Sequence, residues 1–184
     1  MKIAVVGNCQ HAPLAQCLQV LLPAAKIKMI ALNQRGATDP AWDSSFADSE
    51  IIVTQLSPES PSLAERYPNK QILTYPRLAF AGYFPDFTMV YANGRPIGSP
   101  IGNFHSSIAA WAFANGLTAS SACQLFLEDV YLFLGYLDSW TKAEGALLRE
   151  GQLSGFPLND LLAKWTRRHP FMHAATHPKL FVMA

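Results

Sequence analysis

The sequence predicts an α/β fold with a parallel-type sheet: strands and helices alternate in the N-terminal half, and the C-terminal half is helical. Two observations predict this class. Short apolar runs recur in the first half with room for a helix between them, as in buried parallel strands. In the second half, apolar residues recur at helical spacing and glycines follow the expected helix ends. We expect a single domain over residues 1–184.

The N-terminal elements follow from local pattern. A helix is predicted around Pro13, because the missing N–H of a proline is unpaired in the first turn of a helix anyway, and Pro23 ends it. A shorter helix covers residues 62–67, and residues 34–48 are predicted as a loop. The predicted strands are residues 3–6, 26–32, 50–56 and 71–75.

The pattern loosens over residues 76–100, which are rich in proline, glycine and aromatic residues. A strand over residues 88–91 and a turn at Asn93-Gly94 are predicted inside this segment, and long loops of this kind usually line a site. A strand over residues 179–184 is predicted to close the chain. The helices predicted between these segments are residues 105–115, ended by Gly116, residues 118–136, residues 139–150, ended by Gly151, and residues 158–165.

Composition narrows the class of protein. The net charge is +1, and the 14 basic residues form no block or arm, so a nucleic-acid footprint is not expected. No apolar run is long enough for a membrane span. Three cysteines lack the spacing of a disulfide framework, which favours a reduced, cytoplasmic setting. Cys17 and Cys123 lie on apolar helical faces and are expected in the core.

The loop Gly7-Asn8-Cys9-Gln10 directly follows the first strand. Ligands gather at the carboxyl ends of parallel strands, where free N–H groups and a helix dipole would favour the thiolate of Cys9. Gly7 allows the backbone to approach a ligand closely. Asn8 and Gln10 add amide donors for an anion or oxyanion. The alternative is that Cys9 is only a small apolar residue at a tight turn.

Histidines supply the candidate bases. His105 lies in a turn that leads into a helix, a position that suits a general base paired with a thiol. The alternative for His105 is a helix N-terminal histidine that bonds the backbone. His169, His173 and His177 are spaced by four residues, but neighbouring prolines argue against one helix and no carboxylate or cysteine is near, so no metal site is expected. Of these three, His177 is the one we expect to act in a site.

Tyr75-Pro76-Arg77 follows the fourth predicted strand and therefore faces the same ligand end of the sheet. Arg77 could hold a phosphate or carboxylate; the alternative is a solvated surface arginine. Glycine-rich dinucleotide motifs, a phosphate-loop lysine and the Gly-x-Ser-x-Gly elbow are all absent from the sequence. Their absence disfavours the common dinucleotide, NTPase and serine-hydrolase classes.

Together these motifs resemble those of the WcbI-type polysaccharide biosynthesis family. The resemblance implies a coenzyme A-binding protein of capsule or surface-polysaccharide synthesis that acts as an acetyltransferase. The layout is also similar to that of SGNH hydrolases, with Cys9 where a serine nucleophile would stand, although a clear Asp-x-x-His near the C-terminus is lacking. We expect a piece of the family's C-terminal region to lie beyond Ala184. The matching segments are Val6-Gly7-Asn8-Cys9-Gln10, Tyr75-Pro76-Arg77, Phe84-Pro85-Asp86, Gly102-Asn103-Phe104-His105-Ser106 and Thr176-His177-Pro178.

The resemblance implies acyl transfer from acyl-CoA to a sugar hydroxyl. Either Cys9 takes the acyl group covalently, or its thiol only lines the site while His105 deprotonates the sugar; His177 is the further catalytic candidate. Alternatives are a hydrolase with a Cys9–histidine pair and a non-catalytic coenzyme A or nucleotide-binding module. No metal and no nucleic-acid partner are expected, and the oligomeric state is left open. The residues expected to bind coenzyme A are Gly7, Asn8, Gln10, Tyr75, Arg77, Asn103 and Lys179.

Overall fold

The computed structural model describes residues 1–32, 41–55, 60–100, 102–167 and 170–183. Contacts between Cα atoms divide the chain into two compact units. The first unit comprises residues 1–79 and 146–184, and the second comprises residues 80–145. The expectation of a single domain over the whole chain stays a prediction.

The first unit is built on a parallel sheet of β1 (Lys2–Gly7), β2 (Lys26–Ala31), β3 (Ile51–Gln55) and β4 (Gln71–Tyr75). The strand order is β2-β1-β3-β4, and every neighbouring pair is parallel. The predicted fold class and the four predicted strands are confirmed; Leu56, the end of one predicted strand, lies outside the described residues.

Helices cover both faces of this sheet. Ala4 and Val6 of β1 pack with Phe46, Ile52 and Leu63 on one face. On this face lie α2 (Ala41–Phe46) and α3 (Ser60–Arg66). The loop predicted over residues 34–48 is wrong for residues 41–46, because burying Phe46 against the sheet favours a helix that the local sequence does not indicate; residues 34–40 of that prediction lie outside the described residues.

The other face of β1 packs against α1 (His11–Leu21). Ile3 and Val5 contact Ala15 of this helix and Ala25 beyond it. Alternate side chains of β1 thus point to opposite faces, and both sets are buried, which accounts for the uninterrupted apolar run in the sequence. The helix predicted around Pro13 is confirmed.

The rest of the first unit comes from the end of the chain. The part of α7 (Ser139–Ser154) from residue 146 onwards belongs to this unit. It is followed by α8 (Leu158–Thr166), a hairpin of β9 (Met172–Ala174) and β10 (His177–Pro178), and α9 (Leu180–Met183). The strand predicted over residues 179–184 is wrong, since this segment forms the short α9 instead.

The sequence predicted that Gly151 ends a helix, and this prediction is wrong. α7 continues to Ser154, and Gly155 follows it with a φ of +69°. A Cβ on Gly151 would lie 2.8 Å from Cγ of Leu158, so this glycine allows α7 and α8 to approach closely. Gly151 therefore serves the packing of the two helices and does not cap α7.

The second unit holds short antiparallel pairs. β5 (Phe87–Thr88) pairs with β8 (His105–Ser106), and β6 (Tyr91–Ala92) pairs with β7 (Arg95–Pro96). The Asn93-Gly94 turn is confirmed: it joins β6 and β7 with φ values of 51° and 73°. The strand predicted over residues 88–91 is wrong as a continuous element, because residues 89 and 90 lie between two separate pairs.

The remaining elements of this unit are α4 (Ser107–Ala114), α5 (Ala119–Cys123), α6 (Glu128–Phe133) and a 3-10 turn over Tyr136–Asp138. The single helix predicted over residues 118–136 is wrong, because α6 starts afresh with two acidic residues in its first turn, where they favour a helix N-terminus. No helix in the described parts of the chain is long and apolar enough to cross a membrane.

Candidate functional site

The Gly7–Gln10 loop lies where the sheet topology changes direction. From β1 the chain places β2 on one side and then β3 on the other, and open α/β sheets bind ligands at the carboxyl ends of the strands beside such a point. The loop leaves β1 at this point. Its Asn8 backbone N–H donates to Oε1 of Gln55, the last residue of β3, at 3.3 Å. The predicted candidate loop therefore occupies the position at which open α/β sheets bind ligands.

Gln10 is the buried anchor of this loop, with 1% of its surface exposed. Its Nε2 donates to the carbonyl of Leu78 at 2.6 Å and to the carbonyl of Thr176 at 2.9 Å. Its Oε1 accepts from the backbone N–H of Leu78 at 3.1 Å and from Nε2 of Gln55 at 3.0 Å. One side chain thus joins the Cys9 loop, the end of β3, the segment after β4 and the turn between β9 and β10.

This network bears on the expected ligand role of Gln10. Both hydrogens of its amide are already donated to protein carbonyls. Donation to a ligand, which stays a prediction, would require one of these buried bonds to break. The structure gives Gln10 the role of holding the loop in place, which the sequence analysis missed.

Asn8 shapes the turn at Cys9. Its Oδ1 accepts from the backbone N–H of Gln10 at 3.0 Å, and the sulfur of Cys9 lies 3.9 Å from the same oxygen. The side-chain oxygen of Asn8 therefore faces the protein, while its amide nitrogen is the end left for other partners. Cys9 itself is exposed.

The thiol of Cys9 is not in the state that the sequence predicted. Desolvation by the surrounding protein atoms raises the pKa of Cys9, and the backbone hydrogen bond at this residue, which lowers it, has the smaller effect. The expectation of a favoured thiolate is therefore wrong in this structure. At neutral pH the Cys9 thiol holds its proton, and nucleophilic use of the sulfur requires a group that accepts it.

Tyr75 contacts the same turn from the end of β4. Its hydroxyl donates to the carbonyl of Val6 at 3.3 Å and lies directly over Gly7, where a Cβ would be 2.2 Å from it. Burial raises the pKa of Tyr75 strongly, and the neighbouring Cys9 thiolate would raise it further. Tyr75 is therefore a neutral hydrogen-bond donor beside the thiol. Gly7 is required because any side chain would occupy the position of this hydroxyl.

His11 is a site residue that the sequence analysis missed. It is the first residue of α1, and its ring Nδ1 and its backbone N–H both bond the carbonyl of Asn8. Its Cβ lies 3.3 Å from the position that a Gly7 Cβ would take, so it flanks the turn on which Tyr75 also lies. A histidine two residues after a candidate nucleophile is the signal that could have identified it.

The other candidates of the first unit lie further along the chain. Arg77 is exposed, with its guanidinium 3.9 Å from a carboxylate oxygen of Glu150. His177 is exposed on β10, and its Nδ1 lies 3.4 Å from Oγ1 of Thr176, the residue whose carbonyl Gln10 holds. Lys179 is half-buried, and its backbone N–H donates to Phe171 at 2.9 Å. Their roles as ligands of coenzyme A stay predictions.

His105 and Asn103 belong to the second unit. The Nε2 of His105 donates to the carbonyl of Ile97 at 2.8 Å, which is the backbone-bonding role that the sequence left open, and Asn103 is exposed. A shared pocket of His105 and Cys9 stays a prediction. The same unit contains an apolar cavity of about 450 Å³. Its lining residues are Ser107, Ile108, Trp111, Leu125, Val130, Phe133, Leu134 and Tyr136.

Comparison with known families decides what kind of protein carries this loop. The family model described as "Polysaccharide biosynthesis enzyme WcbI" matches residues 2–184. The chain belongs to this family. No curated protein matches the chain at a significant level.

A solved structure of a WcbI family protein is similar in fold. It is described as WcbI, a novel polysaccharide biosynthesis enzyme, in native form without a disulfide bond between coenzyme A and one of its cysteines. The TM-score is 0.68 at 17% sequence identity, and the match covers 99% of this chain. The chain spans 65% of the length of that protein. The predicted family is confirmed, and so is the α/β fold.

The three cysteines of this WcbI family member differ in accessibility. Cys17 is buried, as predicted, whereas Cys123 is exposed. The prediction for Cys123 is wrong because α5 is only five residues long and buries no side chain. Within the described residues, no group of three histidine, cysteine or acidic side chains could hold a metal ion.

Proposed function

We propose that this chain binds coenzyme A thioesters at the Gly7–Gln10 loop and transfers the acyl group to a sugar hydroxyl in the biosynthesis of a surface or capsular polysaccharide. We place this activity in the cytoplasm. Membership of the WcbI family supports the pathway class. The description of the similar structure, which pairs coenzyme A with a cysteine of that protein, supports the ligand class.

The observation that carries the proposal is the position of Cys9. Its exposed thiol lies on a loop at the carboxyl ends of β1 and β3, which begins with a glycine and is fixed by buried hydrogen bonds. A nucleophile or acyl carrier must be reachable yet held in one geometry, since misplacement reduces rate strongly. Neither Cys17, which is buried, nor a residue of the sheet core meets both conditions.

The chemistry requires a thioester carbonyl near the Cys9 sulfur. In the covalent route, the thiol loses its proton, sulfur attacks the carbonyl, and coenzyme A leaves as a thiol. A sugar hydroxyl then displaces the cysteine sulfur. In the direct route, the sugar hydroxyl attacks the thioester and the Cys9 thiol only lines the site. In both routes the side-chain amide nitrogen of Asn8 is the donor for the oxyanion, since the hydroxyl hydrogen of Tyr75 is already donated to the carbonyl of Val6.

Positive charge for the phosphates of coenzyme A would come from Arg77 and Lys179. Arg77 is exposed on the segment that follows β4, and Lys179 follows β10. Guanidinium and ammonium groups suit phosphates because their hydrogen bonds to charged oxygens are the strong ones. Arg77 lies 3.9 Å from Glu150, a weak ion pair that a phosphate could replace.

A thermal shift assay tests the proposal. Coenzyme A or acetyl-CoA at about one hundred times its dissociation constant should stabilise the fold by about 2.7 kcal/mol, a shift of several degrees in Tm. Arg77→Ala should weaken the shift, whereas Lys142→Ala, which removes one positive charge at an exposed position of α7, should leave it unchanged. No shift with millimolar coenzyme A or acetyl-CoA would contradict the proposal.

The acceptor of the acyl group distinguishes the acyltransferase from the two alternative functions, a hydrolase and a binding module. Release of free acid from acetyl-CoA in the absence of sugar would identify a hydrolase with Cys9 as nucleophile. Coenzyme A binding with no turnover towards any sugar would identify a binding module. Cys9→Ser should keep coenzyme A binding and reduce turnover by orders of magnitude in the covalent route, and Cys123→Ser is the matched control because its thiol is also exposed.

A further inference from the structure

The Cys9 turn contains its own histidine. His11 follows the candidate nucleophile by two residues and begins α1. It is half-buried, so its ring is held by the protein but remains accessible. This geometry raises the question of what the ring is arranged to do.

The carbonyl of Asn8 fixes the state of the ring. A carbonyl oxygen can only accept, so Nδ1 of His11 must carry the hydrogen in this bond. In the neutral imidazole the other nitrogen, Nε2, then carries the free lone pair. A backbone carbonyl thus plays the part that a carboxylate plays in other nucleophile–histidine pairs, where it sets the tautomer and the orientation.

The ring belongs to the same turn as the thiol. The carbonyl that it bonds belongs to the peptide that joins Asn8 to Cys9. The Cβ of His11 and the hydroxyl of Tyr75 flank the same Gly7, and a charged Cys9 sulfur would raise the pKa of Tyr75. Cys9, His11 and Tyr75 therefore form one cluster around this turn, within a single unit of the chain.

We propose that His11 is the proton acceptor for Cys9, with Nε2 taking the thiol proton. The S–H bond breaks, an N–H bond forms at Nε2, and the products are a thiolate and an imidazolium whose Nδ1–H stays bonded to Asn8. Tyr75 keeps its hydroxyl hydrogen on the carbonyl of Val6 and stays neutral beside this turn. The inference deepens the proposed function and rests on its choice of Cys9. It assigns the base to His11 and not to His105 or His177.

The physical need for this acceptor comes from the thiol. Partial burial raises the pKa of Cys9, so the sulfur is protonated at neutral pH. An imidazolium beside it would stabilise the thiolate as an ion pair. The titratable groups on the segments joined at this turn are Cys9 on the turn itself, Tyr75 at the end of β4, and His177 on the hairpin that Gln10 ties to the loop. Burial keeps Tyr75 neutral, so it does not compete for the proton.

Alkylation of Cys9 by iodoacetamide, followed by peptide mass spectrometry, tests the proposal on the full chain without coenzyme A. All variants carry Cys123→Ser, which removes the competing exposed thiol, and Cys17 is buried. His11→Asn keeps an amide donor near the Nδ1 position, and His11→Gln places an amide near the Nε2 position. Neither amide can take a proton. His173→Asn on β9 is the matched control because this histidine is exposed in the same unit.

We expect both His11 variants to lower the alkylation rate at pH 7 by about tenfold, since an opposite charge within reach shifts a pKa by at least one unit. The rates should converge with the parent at high pH, where hydroxide alone forms the thiolate. His173→Asn should keep the parent profile. The convergence separates a proton acceptor from a structural role, because a distorted turn would lower the rate at every pH.

Two results would overturn the assignment of His11. One is an unchanged pH profile in both His11 variants; the other is loss of neutral-pH reactivity in His105→Asn or His177→Asn while the His11 variants retain it. Coenzyme A binding is measured separately by thermal shift. A protein that shows the His11-dependent profile but no shift would contradict the proposed function alone, and the reverse result would contradict only this inference.

Discussion

Replacing Gln10 by leucine tests whether the buried amide holds the Cys9 loop in place. The change keeps the approximate size of the side chain and removes its polar atoms. It leaves four partners without their bonds: the N–H and carbonyl of Leu78, the carbonyl of Thr176 and the amide of Gln55. The Gln55 amide still accepts from the backbone N–H of Asn8, and the Thr176 carbonyl is only partly buried, so water can reach it.

The two groups of Leu78 have no such escape, because both of their bonds to Gln10 are buried. An unsatisfied buried polar group costs about 1–3 kcal/mol, so these two give a loss of about 2–6 kcal/mol in the free energy of unfolding. For a chain of this size a loss of about 4 kcal/mol lowers Tm by about 8–16 °C. A stability of about 5–15 kcal/mol would survive the lower end of this range.

Urea unfolding followed by circular dichroism measures the loss as a lower midpoint at unchanged slope. Gln19→Leu is the matched control: Gln19 lies on the same helix and its amide also donates to carbonyls, but it is exposed. That variant should change stability by less than about 1 kcal/mol, because water replaces the lost bonds. The reasoning is refuted if Gln10→Leu is no less stable than Gln19→Leu.

Two further predictions concern Gly7 and Tyr67. Gly7→Ala should lower the free energy of unfolding by about 1–3 kcal/mol, because its Cβ would overlap the Tyr75 hydroxyl. In a double-mutant cycle measured by urea unfolding, Tyr75→Phe should remove most of that loss. Equal losses with Tyr75 and with Phe at this position would contradict the prediction. Burial and the hydrogen bond to Asp43 raise the pKa of Tyr67 to about 12. Its contribution to stability should therefore be complete below about pH 10 and fade as pH rises towards 12, and Tyr67→Phe should flatten this dependence. An equally steep loss in Tyr67→Phe would show that another group is responsible.

The sheet was predictable because its signals are local. β1 is buried on both faces and reads as an uninterrupted apolar run, and each of its parallel neighbours in the sheet is a short segment with apolar residues that follows a helix. The Asn93-Gly94 hairpin was predictable for the same reason, since two residues set its backbone. The elements that were wrong, such as α2 and α9, are short and owe their conformation to contacts made elsewhere in the fold.

The site was predictable in position but not in mechanism. Cys9 could be placed at a strand end from the sequence alone. The role of Gln10 could not, because its partners lie 45, 68 and 166 positions away along the chain. The prediction of a favoured Cys9 thiolate was wrong for a related reason. The start of a helix can be recognised in the sequence, whereas the atoms that desolvate the sulfur cannot.

The two features that the sequence analysis missed, the hydrogen bonds of Gln10 and the ring of His11, both belong to the turn that carries Cys9. Gln10 fixes the backbone on one side of Cys9, and Asn8, through its carbonyl, fixes the ring of His11 on the other. A thiol that is exposed and protonated is inert unless its surroundings are rigid enough to keep a base in one orientation. Most of the polar groups at this turn form hydrogen bonds within the protein that hold this orientation. The sulfur, the amide nitrogen of Asn8 and Nε2 of His11 are the groups left for the substrate. We therefore expect substitutions at Gln10 that preserve folding to impair Cys9 reactivity as well, and to do so through the loop rather than through direct contact with a ligand.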